Sequence, residues 1–417
     1  EPYRRQRQMC IRDSYGTEYY QKATHGEGFV RGFFNVIKAA TTGTGSALQR
    51  MFITGVSPVT MDDVTSGFNI GTNITTDPWF NDLVGFSEAE LREMLTYYKE
   101  QGVLMQTVDE TIVMMKPNYD NYCFSEEKLA QCMFNSDMAL YFMKSFVLHH
   151  VKPKEIVDPN IRTDFNKLAY LIRLDHGLGE NFSVIKEIAE QGEITTDIAT
   201  HFSALEMTDV RNFKSLLFYF GLLSIKGVDM VGRPILHVPN LVVREQLFSF
   251  LIQGYIKHDI FKIDMNRMTM LFENMAFRGD WKPLFNFIAE AIREQSRIRE
   301  YIEGEAHIKG FLLAYLGMYR YYQLYPEYEL NKGFADFLFK PSPSVPVMPP
   351  LTYLLEVKYA KAGASEKEIR ALADEAREQL LRYSQDELVA EAKAKGGLKL
   401  ITIVWCSWEL VLLEEVL

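Results

Sequence analysis

A glutamate and a lysine share one face of a short segment whose other residues are typical of a buried strand. The segment YLLEVKYAK covers residues 353–361, and because side chains alternate across a strand, Glu356 and Lys358 point to the same side. A third charged residue, Asp336, stands where the preceding strand-like segment GFADFLF begins. If these strands are neighbours, the three groups meet on one sheet face, where they must pair with each other or bind a metal.

Two carboxylates and a lysine in this arrangement suit the hydrolysis of a phosphodiester. Asp336 and Glu356 offer the hard oxygen ligands that Mg²⁺ prefers, and Lys358 could position or deprotonate the attacking water. A Glu-x-Lys pair alone on an exposed strand is usually a solvated salt bridge worth under about 1 kcal/mol. The catalytic interpretation therefore depends on Asp336 and on the surrounding elements.

The elements that must position these residues begin near residue 300. A helix over EGEAHIKGFLLAYLGMYRYYQLY is followed by three strand-like segments, a helix capped by Ser365 and Glu368, and a further strand, LKLITIVW. The prolines of KPSPSVPVMPP predict an exposed connection between the second and third strands. The predicted order is αβββαβ.

Three more polar residues lie on the helices of this region. Gln379 and Tyr383 are four residues apart on the inward stripe of the second helix. Gln379 either orients a catalytic group or is a buried amide bonded to the backbone. Glu305 on the first helix could reach the metal from the opposite side, or could, with Glu303, solvate the start of that helix.

Residues 300–417 resemble the PD-(D/E)XK nuclease superfamily, and more narrowly the nuclease domain at the C-terminus of bacterial AAA-ATPase-like proteins. The pieces that carry the resemblance are EAHIKGFLL, KGFAD, YLLEVKYAK and EQLLRY. It implies a restriction-endonuclease-like core, a nucleic-acid substrate with DNA favoured over RNA, and Mg²⁺ or Mn²⁺ as cofactor. The implied catalytic residues are Asp336, Glu356, Lys358, Gln379 and Tyr383, and the implied metal ligands are Asp336, Glu356 and Glu305.

Residues 15–117 are predicted to be the C-terminal part of an AAA-ATPase-like α/β domain, which RMFITGVSPVTMDDVTSGFNI and DPWFNDLVGFSEAEL resemble. Phe52 and Ile53 predict a strand, and Ser87 with Glu90 predicts a capping box. The sequence has no GxxxxGK[ST] loop, because TTGTGSA at residues 41–47 lacks the lysine, and no acidic Walker B strand precedes these pieces. ATP binding and hydrolysis are therefore expected only in a longer protein.

The remaining residues divide into two further predicted regions. Residues 118–299 have helical periodicity, and FKSLLFYFGLLSIKG, GRPILHVPN and LVVREQLFSFLIQGYI predict a helix, a hairpin and a helix, as in a winged-helix module. Residues 1–14, EPYRRQRQMCIRDS, resemble a translated sequencing adapter fused to a truncated reading frame. The fold class predicted for the whole chain is thus mixed α/β and α, in several domains.

Composition narrows the function classes. The chain has 417 residues, of which 47% are hydrophobic and 24% charged, and its net charge of −10 excludes a surface that is basic throughout but not a local basic groove. Four cysteines without a CxxC pair indicate neither a zinc knuckle nor a disulfide framework. No membrane span or signal peptide is apparent, so a cytoplasmic protein is expected.

Two alternatives to a nuclease remain: an inert nuclease-fold scaffold that binds nucleic acid or protein, and an NTP-driven switch in a longer protein.

Overall fold

The computed structural model describes most of the chain. The described residues are 22, 27–41, 45–55, 71–149, 153, 180–200, 202, 206–207, 209–257, 260–295, 302, 304–331, 333–342, 345, 347–416. The predicted adapter segment at residues 1–14 lies outside them. Within these ranges, no helix is long and apolar enough to cross a lipid bilayer.

The regular elements described in the N-terminal third are helices, and irregular segments join them. Its helices are α1 (Phe29–Thr41), α2 (Glu88–Glu100), α3 (Val108–Tyr119) and α4 (Ser136–His149). Ser87 and Glu90 form the predicted capping box at the start of α2. The strand predicted at Phe52 and Ile53 is wrong: residues 51–55 are irregular and both side chains are exposed. Two adjacent apolar residues are too short a signal for a strand without a sheet to pair with.

The middle of the chain has the predicted winged-helix arrangement. Its elements are α5 (Glu180–Gln191), β1 (Glu193–Thr195), α6 (Val210–Tyr219), β2 (Ser224–Val228), β3 (Pro234–His237), α7 (Leu241–Lys257), α8 (Met265–Arg278) and α9 (Lys282–Glu294). The strands form an antiparallel sheet in the order β1-β3-β2. Asp229 caps the turn between β2 and β3 by accepting hydrogen bonds from the backbone N–H groups of Val231 and Arg233.

The C-terminal part is built around a five-stranded mixed sheet. Its elements are α10 (Glu305–Leu316), β4 (Tyr322–Leu330), β5 (Gly333–Pro341), β6 (Thr352–Ala360), α11 (Glu366–Tyr383), α12 (Glu387–Ala394), β7 (Leu398–Cys406) and β8 (Glu409–Glu415). The strand order is β4-β5-β6-β7-β8, and only β6 and β7 are parallel. The predicted αβββαβ order is confirmed, and α12 and β8 are additions that the sequence analysis did not predict.

The first helix of this part is shorter than predicted. It ends at Leu316, and the aromatic residues predicted to continue it form the start of β4 from Tyr322 onward. Gly317 at the end of the helix lies against α7, so close that a Cβ there would be 2.2 Å from the Phe248 ring and 2.7 Å from the Leu313 carbonyl oxygen. Only glycine fits at this contact.

We therefore expect Gly317→Ala to destabilise the protein, by about 1–3 kcal/mol, because the buried Phe248 ring and the helix backbone must both shift. Chemical denaturation measures the change in the free energy of unfolding. The matched control is Gly304→Ala at the other end of α10, where a Cβ meets no atom within 4 Å. Equal stability of the Gly317→Ala variant and the parent would contradict the packing described for this contact.

The two faces of the large sheet have different neighbours. Phe337 and Leu355 lie on one face, in the large apolar core that extends into α10 and the winged-helix region. Leu338 and Leu354 lie on the other face, in a smaller core closed by the C-terminal half of α11. Because side chains alternate along a strand, Asp336 and Glu356 belong to this second face.

Candidate active site

Asp336 lies where β5 and β6 separate. The two strands pair from Phe337 opposite Leu355 to Phe339 opposite Tyr353. One residue further, Oδ2 of Asp336 accepts a hydrogen bond of 2.6 Å from the backbone N–H of Val357, in place of a strand-to-strand bond. Asp336 is only 4% exposed, so this bond fixes a buried carboxylate at the opening of the sheet.

Glu356 is the second buried carboxylate, on the central strand β6 beside Thr402 of β7. It is 3% exposed. Its Oε1 atom lies 3.3 Å from Nζ of Lys358, whereas Oε2 is buried and has no hydrogen-bond partner among the described residues. A carboxylate oxygen in this position is costly to desolvate and is free to accept a ligand.

Lys358 joins the sheet to helix α11. Its ammonium lies 3.3 Å from Glu356 and 3.1 Å from Oε1 of Glu375 on that helix. Burial opposes the charge on Lys358, but the neighbouring carboxylates of Glu356 and Glu375 outweigh it and raise its pKa. A lysine with a raised pKa stays protonated at neutral pH, which favours positioning the attacking water over deprotonating it.

A second lysine, which the sequence analysis did not single out, lies at the other side of the site. Lys309 on α10 forms ion pairs with Asp336, with Glu305 at 2.9 Å and with Glu327 at 3.3 Å. Burial opposes the charge on Lys309, but the hydrogen bonds and electrostatic attraction of Asp336 and Glu305 raise its pKa. In the sequence, the sign of this contact was that Lys309 follows Glu305 by four residues on the same helix.

Lys309 changes the expected role of Glu305. The predicted metal set was Asp336, Glu356 and Glu305, but Glu305 is bonded to Lys309, whose ammonium also pairs with Asp336. Within the described ranges, no group of three His, Cys, Asp or Glu side chains could hold a metal ion. Asp336 and Glu356 are thus left as a pair, and the assignment of Glu305 as a ligand stays a prediction.

The two buried carboxylates repel each other. Burial raises the pKa of Glu356 and the nearby Asp336 charge raises it further, against the opposing pull of Lys358. Burial likewise raises the pKa of Asp336, although Lys309 and the Val357 N–H oppose the shift. Two buried hard oxygen donors whose mutual repulsion the two lysines offset only in part, with one oxygen that has no described partner, fit a divalent cation, which would remove the repulsion.

Gln379 and Tyr383 lie further along α11, one and two helical turns beyond Glu375. Gln379 is half-buried, and its side-chain oxygen has no hydrogen-bond partner among the described residues. Tyr383 is 2% exposed and packs against Gly333 at the start of β5, while its hydroxyl accepts a hydrogen bond from Arg382. On α11 the contact to Lys358 is made by Glu375, so the catalytic roles of Gln379 and Tyr383 remain predictions.

A mixed sheet with a buried Asp on one strand and Glu-x-Lys on the next, flanked by α10 and α11, is the core of a PD-(D/E)XK-type nuclease fold. Residues 303–415 match the family described as the PD-(D/E)XK nuclease superfamily, and residues 9–65 match the family described as Predicted AAA-ATPase. No curated protein and no solved structure matches the chain. The chain therefore combines a PD-(D/E)XK nuclease superfamily domain with an AAA-ATPase-like domain, as predicted.

The position of Lys309 leads to a prediction about metal binding. Because its ammonium pairs with Asp336, it competes with any cation that this carboxylate would bind. We expect Lys309→Met to tighten Mn²⁺ binding by about tenfold, measured by isothermal titration calorimetry. The matched control is Lys340→Met, since Lys340 is on the same strand as Asp336 but is exposed. Unchanged or weaker binding by the Lys309→Met protein would contradict this competition.

Proposed function

We propose that the C-terminal domain is a metal-dependent nuclease that hydrolyses phosphodiester bonds in DNA, with Mg²⁺ or Mn²⁺ as its cofactor. The observation that carries the proposal is the convergence of Asp336, Glu356 and Lys358 at one opening of the sheet, with Oε2 of Glu356 buried and unpartnered. A structural salt bridge would need no second buried carboxylate and would leave no oxygen unsatisfied.

Asp336 and Glu356 are the residues that would hold the cation. When bound, a divalent ion supplies Lewis-acid stabilisation of the negative charge that develops on the phosphate. The hydrogen bond from the Val357 N–H holds the Asp336 carboxylate in place before any ligand arrives. This fixed position favours reaction because the carboxylate need not reorganise.

Lys358 supplies a fixed positive charge beside the carboxylates. Held by Glu356 and Glu375, its ammonium can orient a water molecule by donating hydrogen bonds and can stabilise the phosphate oxygens as the bond to phosphorus forms. Since Lys358 keeps its proton, the proton of the attacking water must leave to another base, such as a solvent hydroxide or a phosphate oxygen.

The proposal of DNA as the substrate has support from the rest of the chain. The winged-helix arrangement of α5 to α7 is a relative of the helix-turn-helix, whose second helix commonly enters the major groove of duplex DNA. This is an analogy of fold, and it favours a DNA substrate over RNA without naming a sequence.

A cleavage assay tests the proposal. The purified full chain would be incubated with end-labelled single-stranded DNA, duplex DNA and RNA, each with Mg²⁺, with Mn²⁺ and with excess chelator. We expect cleavage of DNA in the presence of either ion and none with the chelator. Failure to cut any of the three substrates in any metal would refute the nuclease proposal, and faster cutting of RNA would refute the choice of DNA.

A further inference from the structure

Two cysteines face each other outside the candidate active site. Tyr122 and Met133 exchange both of their backbone hydrogen bonds, at 3.1 and 2.8 Å, as an isolated antiparallel bridge. The next step along this ladder places Cys123 directly opposite Cys132, in a non-hydrogen-bonded position. Residues so placed have Cα atoms about 4.5 Å apart, within the span of about 4.4–6.8 Å that a disulfide requires.

The two thiols differ in their surroundings. Cys123 is fully buried, and its backbone N–H donates a hydrogen bond of 2.7 Å to Oγ of Ser224. Cys132 is partly exposed and borders an open polar cavity that is also lined by Lys116 and Asp120. A hydrogen bond from the Cys132 thiol lowers the pKa of Cys123 to about 7, despite burial. One sulfur of the pair is therefore reachable from solvent and the other is fixed beside it.

The segment between the cysteines is already held in a closed shape. Oδ1 of Asn81 accepts hydrogen bonds from the backbone N–H groups of Phe124 and Ser125, at 2.9 and 3.1 Å. The Asn81 amide group donates one of 2.9 Å to the carbonyl oxygen of Gln131. Both ends of the loop are thus tied to a single buried side chain, so a covalent bond across its base requires little rearrangement.

We propose that Cys123 and Cys132 are a redox-modification site that forms a reversible disulfide when the protein meets a peroxide. The two residues are too far apart in the sequence to form a CxxC motif, so no sequence motif marks them as a pair. The antiparallel bridge brings them together, and the site is independent of the nuclease residues.

The oxidation proceeds in two steps, formation of a sulfenic acid and then of the disulfide. The Cys123 thiolate first takes the proton of the Cys132 thiol, and the Cys132 thiolate so formed attacks one oxygen of hydrogen peroxide. The O–O bond breaks, hydroxide leaves the peroxide, and Cys132 becomes a sulfenic acid. The Cys123 sulfur then attacks the Cys132 sulfur, and the displaced hydroxide takes up the Cys123 proton as water. The peroxide is reduced by two electrons, and a small thiol reductant reverses the bond by exchange.

Peptide mapping tests the proposal on the full chain. Reduced protein would be treated with an equimolar amount of hydrogen peroxide, alkylated and digested with trypsin, which cuts after Lys128 between the two cysteines. We expect most of the chain to yield the Cys123 and Cys132 peptides joined, at a mass two hydrogens below their sum, and a thiol reductant to separate them. A Cys132 that is oxidised or alkylated without this cross-link would overturn the proposal.

Two variants complete the test. Cys132→Ser changes a partly exposed position and should fold, so it should lose the cross-link and the rise in thermal unfolding midpoint that peroxide causes in the parent. Cys406→Ser is the control: Cys406 lies at the end of β7, where its thiol donates to the Lys361 carbonyl oxygen, and its loss should leave the cross-link intact. A cross-link that disappears in the Cys406→Ser protein would overturn the assignment.

Discussion

Replacing Lys358 with alanine is expected to lower the rate of DNA cleavage by a factor of about 10²–10⁴ while the protein stays folded. The loss follows from removing the only described ammonium in contact with Glu356, which in the proposed reaction orients water and stabilises charge on the phosphate. Single-turnover cleavage rates at saturating metal measure the effect, and circular dichroism checks the fold.

The control for this substitution is Lys361→Ala, three residues along the same segment, where the lysine is exposed. It removes the same charge directly after the end of β6, so it separates a local effect of Lys358 from a general loss of positive charge. A Lys358→Ala protein that cleaves as fast as the Lys361→Ala protein would mean that Glu356 and Lys358 form a structural ion pair only.

Glu356→Gln is expected to abolish cleavage and, in the absence of metal, to stabilise the protein. Oε2 of Glu356 has no described hydrogen-bond partner, and Asp336 repels the charge, so the parent carboxylate is costly in the folded state. Removing that charge should raise the free energy of unfolding by about 1–3 kcal/mol at pH 8 with chelator present. Denaturant titration measures this change in the free energy of unfolding. With metal added, the parent should become more stable than the Glu356→Gln variant.

The difference in the free energy of unfolding between the Glu356→Gln variant and the parent should grow as the pH rises. The pKa of Glu356 rises from 4.5 to about 7 on folding, chiefly through burial, so the folded protein binds a proton more tightly than the unfolded chain. The parent therefore loses stability relative to the Gln variant as the pH rises from about 4.5 to 7, and the two should be equally stable below that range.

An exposed glutamate serves as the control for Glu356. Glu409→Gln at the start of β8 removes one negative charge from the surface and should change the free energy of unfolding by less than about 0.5 kcal/mol at any pH. If Glu356→Gln were instead less stable than the parent at pH 8, the carboxylate would be satisfied in the folded protein, and the case for a cation at this position would fail.

The elements of the nuclease-like domain could be predicted because their sequence signals are local. The capping box at Ser365, the prolines before β6 and the alternating side chains of YLLEVKYAK each specify one element without reference to the rest of the chain. The placement of Asp336 next to Glu356 could be inferred too, since consecutive strands usually pair.

The partners of the site residues could not be predicted in the same way. Lys309 and Glu375 reach the site from two helices on either side of the sheet, and whether a long side chain extends to a carboxylate depends on how those helices pack. The meeting of Cys123 with Cys132 depends on a single bridge between two loops, for which hydrophobic periodicity carries no signal.

The most direct test of a cation held by Asp336 and Glu356 is the metal dependence of cleavage in Asp336→Asn protein beside the parent. Asparagine keeps the size of the side chain and an oxygen for the Val357 N–H, so the fold should survive. We predict that the parent cleaves DNA with a saturable dependence on Mn²⁺ and that the folded variant does not cleave at any Mn²⁺ concentration that saturates the parent. Equal rates and equal metal dependence in the two proteins would contradict the assignment of this site.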